Sequence, residues 1–288
     1  MEDERNGLRL EENCQTHIPF IALEGVGGSG KSHDGEELNN IFEKCGFQVL
    51  TAKVSGLGDS ERVRKLKEIN NKHEQFLQEG VASSKIIEDK RKDRIFRLAT
   101  RHQIHLLLKD LKGTKADIGI LDRTPIMSWV YASASDSSNP YLDEILREGI
   151  NQTGFLGISK IYYLQVTPEV AYSRIIARAC VSDSNPEQRT RELCGQIDAS
   201  PESIQQIVDG TLNLISSYPE LKPKVYTRWD FIPYQVMAGE CERYVEVLQV
   251  LSEQKKMRYM IVDAQRPMRE VVDNIIADIK ANKILQNF

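Results

Sequence analysis

One stretch near the start of the chain, FIALEGVGGSGKS from Phe20 to Ser32, constrains the possible folds more than any other. An apolar run typical of a buried strand ends at Glu24, and a glycine-rich turn follows it. Apolar residues then recur at i, i+3, i+4 and i+7 from Leu38 to Cys45, which is the spacing of one face of a helix ending at Gly46. The sequence therefore predicts a strand, a flexible loop and a helix in immediate succession.

The glycine-rich turn fits the pattern G-x-x-x-x-G-K-[S/T], in which Gly25 and Gly30 are the glycines and Lys31 and Ser32 the last two positions. In this pattern backbone amides and the helix N-terminus face the phosphates of a nucleotide, the lysine reaches the β- and γ-phosphates, and the hydroxyl binds Mg²⁺. We therefore predict ATP and Mg²⁺ as cofactors. The predicted ATP-binding loop consists of Gly25, Val26, Gly27, Gly28, Ser29, Gly30, Lys31 and Ser32.

A second nucleotide motif, TKAD from Thr114 to Asp117, fits the guanine-reading pattern [N/T]KxD of GTPases. Here the apolar strand follows the motif, so Asp117 would enter the sheet where a base-reading loop should leave it. A turn from helix to strand is therefore the favoured interpretation, because a match of four residues recurs easily by chance.

The rest of the chain alternates short apolar runs with amphipathic stretches, a pattern typical of βαβ units. We predict an α/β fold of three layers, the P-loop NTPase fold, in which helices flank a parallel sheet of five strands. The five apolar runs cover residues 18–24, 47–52, 116–123, 160–167 and 257–264. Helices are predicted over residues 84–112 and 201–217, through Trp129 and Tyr131, and from Pro168 and Pro267 onward.

Three segments stand apart from this alternation. Residues 1–17 are acidic and polar and are predicted to form a flexible extension, which leaves residues 18–288 as one domain. Residues 179–199 are polar and lie between helical segments, so we predict a mobile lid there. Residues 222–240 show no clear period, and residues 222–253 are interpreted as an insertion with some packing of its own.

Composition narrows the classes of partner. The net charge of −4 argues against nucleic acid, because no strong positive field would attract its backbone. The five cysteines are scattered without metal-binding spacing, which favours a reducing, cytoplasmic location. No apolar run approaches the roughly 18 residues of a membrane span, so no membrane partner is expected.

Two adjacent charged residues follow the third apolar run. Asp122 ends a buried strand at its carboxyl end, the region where open α/β sheets bind ligands, and is suited to hold Mg²⁺ together with Ser32. The guanidinium of Arg123 fits phosphate oxygens bidentately, so we predict that it holds the phosphate of an acceptor molecule.

Taken in order, several motifs resemble the thymidylate kinase family of nucleoside-monophosphate kinases over most of residues 18–280. These motifs are FIALEGVGGSGKS, FRLATRHQIHLLL, ILDRTPIMSWVYA, KIYYLQVTPEVAYSRIIAR, ESIQQIVDGTLNLISSYPE and YMIVDAQRPMREVVDNI. The resemblance implies an enzyme that transfers the γ-phosphoryl group of ATP to a nucleoside monophosphate, dTMP or another pyrimidine deoxynucleotide. It also implies a homodimer, for which the long helix after Ser84 could form the interface.

The resemblance assigns roles residue by residue. The implied substrate-binding residues are Lys53, Arg101, Gln103, Arg123, Ser128 and Tyr131, and the implied ATP contacts beyond the loop are Arg178, Ala264 and Gln265. The family places a catalytic arginine in the loop or in the lid, and this loop has none. Arg189 is then the first candidate and Arg191 the second, which makes the predicted catalytic set Lys31, Asp122, Arg123, Arg189 and Arg191.

Four positions depart from the family pattern, and all four are expected on the acceptor side. Gly27 stands where the family has an acidic residue that contacts the acceptor sugar, Lys53 replaces an arginine, and Thr124 and Thr211 replace tyrosines. Two alternatives therefore stay open. The first is a kinase of a nucleoside or of another small molecule. The second is a catalytically decayed, nucleotide-binding regulatory protein whose insertion binds a partner through Trp229, Phe231 and Tyr234.

Overall fold

A computed structural model describes residues 18–53, 115–135, 137–138, 142–155, 157–223, 232–255 and 257–285. Several predicted features lie outside these ranges. They are the extension 1–17, the helix 84–112 with Arg101 and Gln103, and the aromatic residues Trp229 and Phe231.

Five parallel strands form one sheet in the order β2-β3-β1-β4-β5. The strands are β1 (Phe20–Glu24), β2 (Val49–Lys53), β3 (Ile118–Asp122), β4 (Ile158–Gln165) and β5 (Tyr259–Asp263). Each lies in one of the five predicted apolar runs, apart from a shift of one or two residues at some ends. The predicted three-layer α/β fold with a five-stranded parallel sheet is confirmed.

Helices pack on both sides of this sheet in the described part of the chain. They are α1 (Lys31–Lys44), α2 (Met127–Ser135), α3 (Leu142–Phe155), α4 (Pro168–Cys180), α5 (Pro186–Cys194), α6 (Pro201–Ser217), α7 (Tyr234–Lys255) and α8 (Met268–Ala281). The α4 helix starts at Pro168 as predicted, with the Thr167 hydroxyl accepting a hydrogen bond from the Val170 amide. The bounds predicted for α6 are confirmed, whereas α3 was not predicted.

The sheet forms the centre of the hydrophobic core. All five residues of β1 are buried, as expected for a central strand covered on both faces. Gly119 of β3 lies against Phe20, whose ring would be 2.1 Å from an added Cβ atom, so this position has room only for glycine. No helix within the described ranges combines the length and the apolar character needed to cross a membrane.

The predicted lid contains a helix. The Asn185 side chain accepts a hydrogen bond from the Gln188 amide and starts α5, whose Leu193 and Cys194 are buried in the core. One face of the polar segment is therefore packed against the protein, and its mobility stays a prediction.

The prediction that residues 222–240 lack a regular period is wrong from Tyr234 onward, where a helix begins, whereas the interpretation of residues 222–253 as an insertion stays a prediction. Residues 234–255 form the long helix α7, which packs against α2, and Gly239 is close enough to Ala134 for an added Cβ to lie 3.4 Å from its Cβ. The buried residues Tyr244, Val247, Leu248 and Leu251 recur at i, i+3, i+4 and i+7. This helical spacing was present in the sequence.

Candidate active site

Three glycines shape the predicted phosphate loop. Gly25, Gly28 and Gly30 have positive φ angles of 147°, 77° and 106°, which side chains rarely adopt. Gly28 also lies directly against α4, because an added Cβ would be 2.3 Å from the carbonyl oxygen of Ala171. Gly30 is the N-cap of α1 and has no side chain to bind the amides of the first turn. This loop geometry fits an anion at the helix N-terminus.

Gly27 differs from its neighbours in the loop. Its φ is not in the positive range, and an added Cβ would meet only the Cδ1 atom of Ile175, at an ordinary contact distance of 3.5 Å. The backbone therefore has no need for glycine at this position.

Lys31 is folded into the loop. Its ammonium donates hydrogen bonds to the carbonyl oxygens of Gly25 and Val26, both at 2.7 Å, and to the Ser29 hydroxyl at 3.1 Å. Burial lowers the pKa of this ammonium to about 7, and the neighbouring Arg123 cation acts in the same direction. An anion beside Lys31 would favour its charged form.

The two predicted metal ligands lie in contact. The Ser32 hydroxyl donates a hydrogen bond of 2.8 Å to Oδ2 of Asp122, 90 residues further along the chain. Pairing of β1 with β3 brings them together, since Leu23 and Asp122 are register partners. One hydroxyl and one carboxylate fit Mg²⁺, which takes few protein oxygens and completes its shell with phosphate and water. Among the described residues, no group of three or more His, Cys, Asp or Glu side chains could hold a metal ion.

Arg123 reaches the same loop from the end of β3. Its Nη1 donates hydrogen bonds to the carbonyl oxygen of Gly25 at 3.1 Å and to the Tyr244 hydroxyl at 3.2 Å. The guanidinium carbon lies 5.6 Å from the centroid of the Tyr131 ring, a cation–π distance. The predicted neighbours Arg123 and Tyr131 are therefore placed together beside the loop.

The structure places other predicted substrate residues only in part. Lys53 ends β2 and is the register partner of Asp122, and Ser128 lies in the first turn of α2. The expectation that Thr211 belongs to the acceptor side is wrong. Thr211 is buried between α4 and α6, where its hydroxyl donates to the carbonyl oxygen of Ser173. Asp117 accepts a hydrogen bond from the Gln48 amide at the amino end of β3, which agrees with the helix-to-strand interpretation of TKAD.

Glu24 is a buried carboxylate that sequence reasoning did not assign to the site. Its Oε1 accepts hydrogen bonds from both the amide and the hydroxyl of Thr124, while Oε2 has no hydrogen-bond partner among the described residues. Burial raises its pKa, and the cations Arg123 and Lys31 act in the opposite direction. Thr124 thus holds the Glu24 carboxylate in place. The signal that could have revealed Glu24 was a charged residue at the end of an otherwise apolar strand.

Helix α7 supplies two more residues that were missed. Tyr244 is fully buried, stacks on Tyr163 with ring centroids 5.2 Å apart, and accepts the hydrogen bond from Arg123. Glu240 lies one turn earlier on the same face and is 4% exposed. Burial raises its pKa to about 7, against the opposing effect of Arg123 and Lys31. If the helix had been recognised, the i, i+4 spacing would have placed these two residues on the same helix face.

An arginine of α4 connects the loop to the predicted ATP contact Ala264. Arg174 donates to the carbonyl oxygens of Gly28 and Ser29 through Nη1, at 3.4 and 3.3 Å, and to that of Ala264 through Nη2 at 2.7 Å. Sequence reasoning chose Arg178, one turn later, which is half-buried. Gln265 is exposed next to Ala264.

The structure does not bring the predicted lid arginines to the loop. Arg189 pairs with Glu192 at 3.0 Å and Arg191 with Glu187 at 3.1 Å, both within α5. About half of each arginine side chain is exposed, so these are surface ion pairs within one helix. A catalytic role for either arginine stays a prediction.

Tyr234, which the regulatory alternative predicts to be an interface residue, makes contacts within the protein. Its hydroxyl donates to Glu169 and its ring stacks on Tyr172 with centroids 6.4 Å apart. Its amide donates to the carbonyl oxygen of Ile197 at 2.6 Å. These contacts fasten the start of α7 to α4.

Asp34 allows a test of the electrostatics around the loop. It is 4% exposed in the first turn of α1, and burial raises its pKa from 3.8 to about 7, although Arg174 and Lys31 oppose the shift. The folded state then keeps a proton that the unfolded chain releases between pH 4 and 7, so the unfolding free energy falls as the pH rises through this window.

We expect Asp34→Asn to remove this contribution. The unfolding free energy of the variant minus that of the wild type should be greater at pH 8 than at pH 5, by on the order of 2 to 3 kcal/mol. Urea unfolding of both proteins at the two pH values measures it. An equal difference at both pH values would contradict the prediction.

Comparison with models of known protein families and with curated proteins finds no match to this chain.

Proposed function

We propose that this protein transfers the γ-phosphoryl group of ATP to a nucleoside monophosphate in the presence of Mg²⁺. The proposal rests on the observation that two cationic side chains donate hydrogen bonds to the same loop carbonyl. The Gly25 oxygen accepts hydrogen bonds from Lys31 at 2.7 Å and from Arg123 at 3.1 Å. Lys31 belongs to the phosphate loop, whereas Arg123 comes from a different strand, which suits two phosphate-bearing ligands brought end to end.

The residues divide the work of phosphoryl transfer between them. The reaction needs little covalent chemistry from a protein, so alignment and charge stabilisation are the main contributions. Lys31 and the loop amides would hold the donor phosphates, and Ser32 and Asp122 would hold Mg²⁺. Bound Mg²⁺ would neutralise charge on the phosphate oxygens.

Arg123 is suited to the phosphate of the acceptor. Among the described residues, its side-chain hydrogen bonds use Nη1, and a guanidinium offers five N–H donors in a planar fork. Nε and Nη2 can therefore bind phosphate oxygens while Gly25 and Tyr244 keep the side chain in place. A guanidinium held in this way favours a phosphorylated acceptor over a nucleoside.

The choice of a pyrimidine deoxynucleotide rests on the family resemblance, as does the homodimer. A cytoplasmic location is inferred from the cysteines. Cys45, Cys180, Cys194 and Cys241 are free thiols in the structure, which suits a reducing compartment.

A panel of acceptors tests the proposal. The protein is incubated with ATP, Mg²⁺ and each ribo- and deoxynucleoside monophosphate, or each nucleoside, and the products are separated by ion-exchange chromatography. We expect ADP and a nucleoside diphosphate from at least one pyrimidine deoxynucleoside monophosphate. Turnover of nucleosides alone would favour the alternative kinase, and no turnover of any monophosphate would contradict the proposal.

A further inference from the structure

Glu240 of α7 is a buried carboxylate to which the proposed phosphoryl transfer assigns no role. It is 4% exposed, and the close contact of its neighbour Gly239 with Ala134 of α2 fixes the position of the helix at this point. Tyr244 lies one turn further along the same face and bonds to Arg123. One rigid helix therefore presents both residues to the site.

The Glu240 carboxylate lacks a hydrogen-bond donor of its own. In the part of the chain that the structure describes, it forms no hydrogen bond and no ion pair, although it interacts electrostatically with Lys31 and Arg123. Glu24, another buried carboxylate near these cations, receives two hydrogen bonds from Thr124 at its Oε1 atom, while its Oε2 atom has no hydrogen-bond partner among the described residues. The Glu240 carboxylate therefore keeps its acceptor capacity, and a ligand that enters the site can supply the donor.

The charges around Glu240 restrict what that ligand group can be. Phosphate groups would occupy the positive side formed by Lys31 and Arg123, and the carboxylate would repel them. A neutral hydrogen-bond donor is the group that fits opposite Glu240. A nucleoside monophosphate has such donors in its sugar hydroxyls, a short distance from its phosphate.

We propose that Glu240 binds the acceptor by accepting a hydrogen bond from a hydroxyl group of its sugar, while Arg123 holds its phosphate. This inference rests on the proposed function and adds the selection of acceptors that carry a free sugar hydroxyl. A hydrogen bond to a charged group contributes about 1.5–3 kcal/mol, which corresponds to about 10- to 100-fold in kcat/KM.

The test compares a substrate group with the side chain that binds it. kcat/KM is measured for the best monophosphate of the panel and for its 2′,3′-dideoxy analogue, with the wild type and with Glu240→Ala. We expect the wild type to lose about 10- to 100-fold on removal of the hydroxyls. Glu240→Ala should turn over both acceptors at similar rates, because the hydroxyl no longer has its partner.

Two further variants make the result specific. Glu240→Gln keeps the volume of the side chain and should show an intermediate loss, which covers the case in which the alanine variant does not fold. Glu246→Ala removes a half-exposed carboxylate of the same helix, paired with Arg243, and should keep the full wild-type loss.

An undiminished loss in both Glu240 variants would overturn this inference while leaving phosphoryl transfer intact. Absence of monophosphate turnover by the wild type would instead contradict the proposed function itself, together with the role built on it.

Discussion

Replacement of Gly28 by alanine is expected to weaken the proposed ATP binding strongly and to destabilise the protein. Gly28 has a φ of 77°, and an added Cβ would lie 2.3 Å from the carbonyl oxygen of Ala171 and 3.0 Å from its Cα atom. Both obstacles belong to the backbone of α4, which cannot move without disturbing the core. We expect the unfolding free energy to fall by on the order of 3 kcal/mol and ATP affinity to fall at least about 100-fold.

Gly27→Ala is the matched control, because it adds the same methyl group one residue earlier. Its Cβ would meet only the flexible end of Ile175 at 3.5 Å. Urea unfolding, and calorimetry with a non-hydrolysable ATP analogue and Mg²⁺, measure the two effects. We expect Gly27→Ala to behave like the wild type in both. If the two variants behave alike, the proposed ATP binding does not depend on the positive φ of Gly28 or on its close approach to α4.

Lys31→Met is expected to reduce kcat by on the order of 10³-fold, since it removes a buried cation from the proposed site of phosphoryl transfer while keeping most of the side-chain volume. Lys31 donates three hydrogen bonds within the loop, and methionine can donate none of them. Steady-state kinetics at saturating ATP and acceptor separate the effect on kcat from weaker binding. A variant with more than about a tenth of the wild-type kcat would exclude Lys31 from charge stabilisation.

Lys160→Met controls for the loss of a buried lysine as such. Lys160 of β4 is 7% exposed and pairs with Asp278 of α8 at 2.7 Å, and it takes no part in the candidate site. Its removal leaves the Asp278 carboxylate with the Tyr162 hydroxyl as a remaining donor. We expect this variant to lose on the order of 3 kcal/mol of stability and to keep its kcat at temperatures where it is folded.

The buried charges of the site explain why these two lysines should respond differently. Lys160 faces one carboxylate at hydrogen-bond distance, so its contribution is mainly to stability. Lys31 and Arg123 instead share the Gly25 carbonyl oxygen and bring two like charges together. The carboxylates of Asp122, Glu24 and Glu240 offset part of this repulsion, and perturbed pKa values of this kind cluster at functional sites.

Much of the fold could be predicted because its signals are local. The glycine-rich turn, the five apolar runs and the proline that begins α4 each lie within a few consecutive residues. Helix α7 is the exception. The helical spacing of Tyr244 to Leu251 was as local as the others, but the irregular aromatic segment before it hid the start of the helix.

The site could be predicted only where its residues belong to such local motifs. Ser32 and Asp122 were expected to share a metal ion. Parallel pairing of β3 with β1, the strand before the loop and helix of Ser32, brings the Ser32 hydroxyl 2.8 Å from Oδ2 of Asp122. The lid arginines were expected at the loop because the resembled family places a catalytic arginine in the loop or in the lid, and this loop has none. The structure pairs both with glutamates of their own helix, since carboxylates three and four residues away are the nearest partners on a helix surface.

The sequence by itself determined the strand, loop and helix around Lys31, because the glycines at positions 25, 28 and 30 permit the positive φ angles that this loop adopts. It also determined the parallel sheet, whose buried strands read as continuous apolar runs. Only the tertiary structure decided that Glu240 and Tyr244 of α7 face Arg123, and that Arg174 joins the loop to Ala264. Those contacts depend on how helices that are distant in the chain pack on the sheet. The packing of whole helix faces sets these positions.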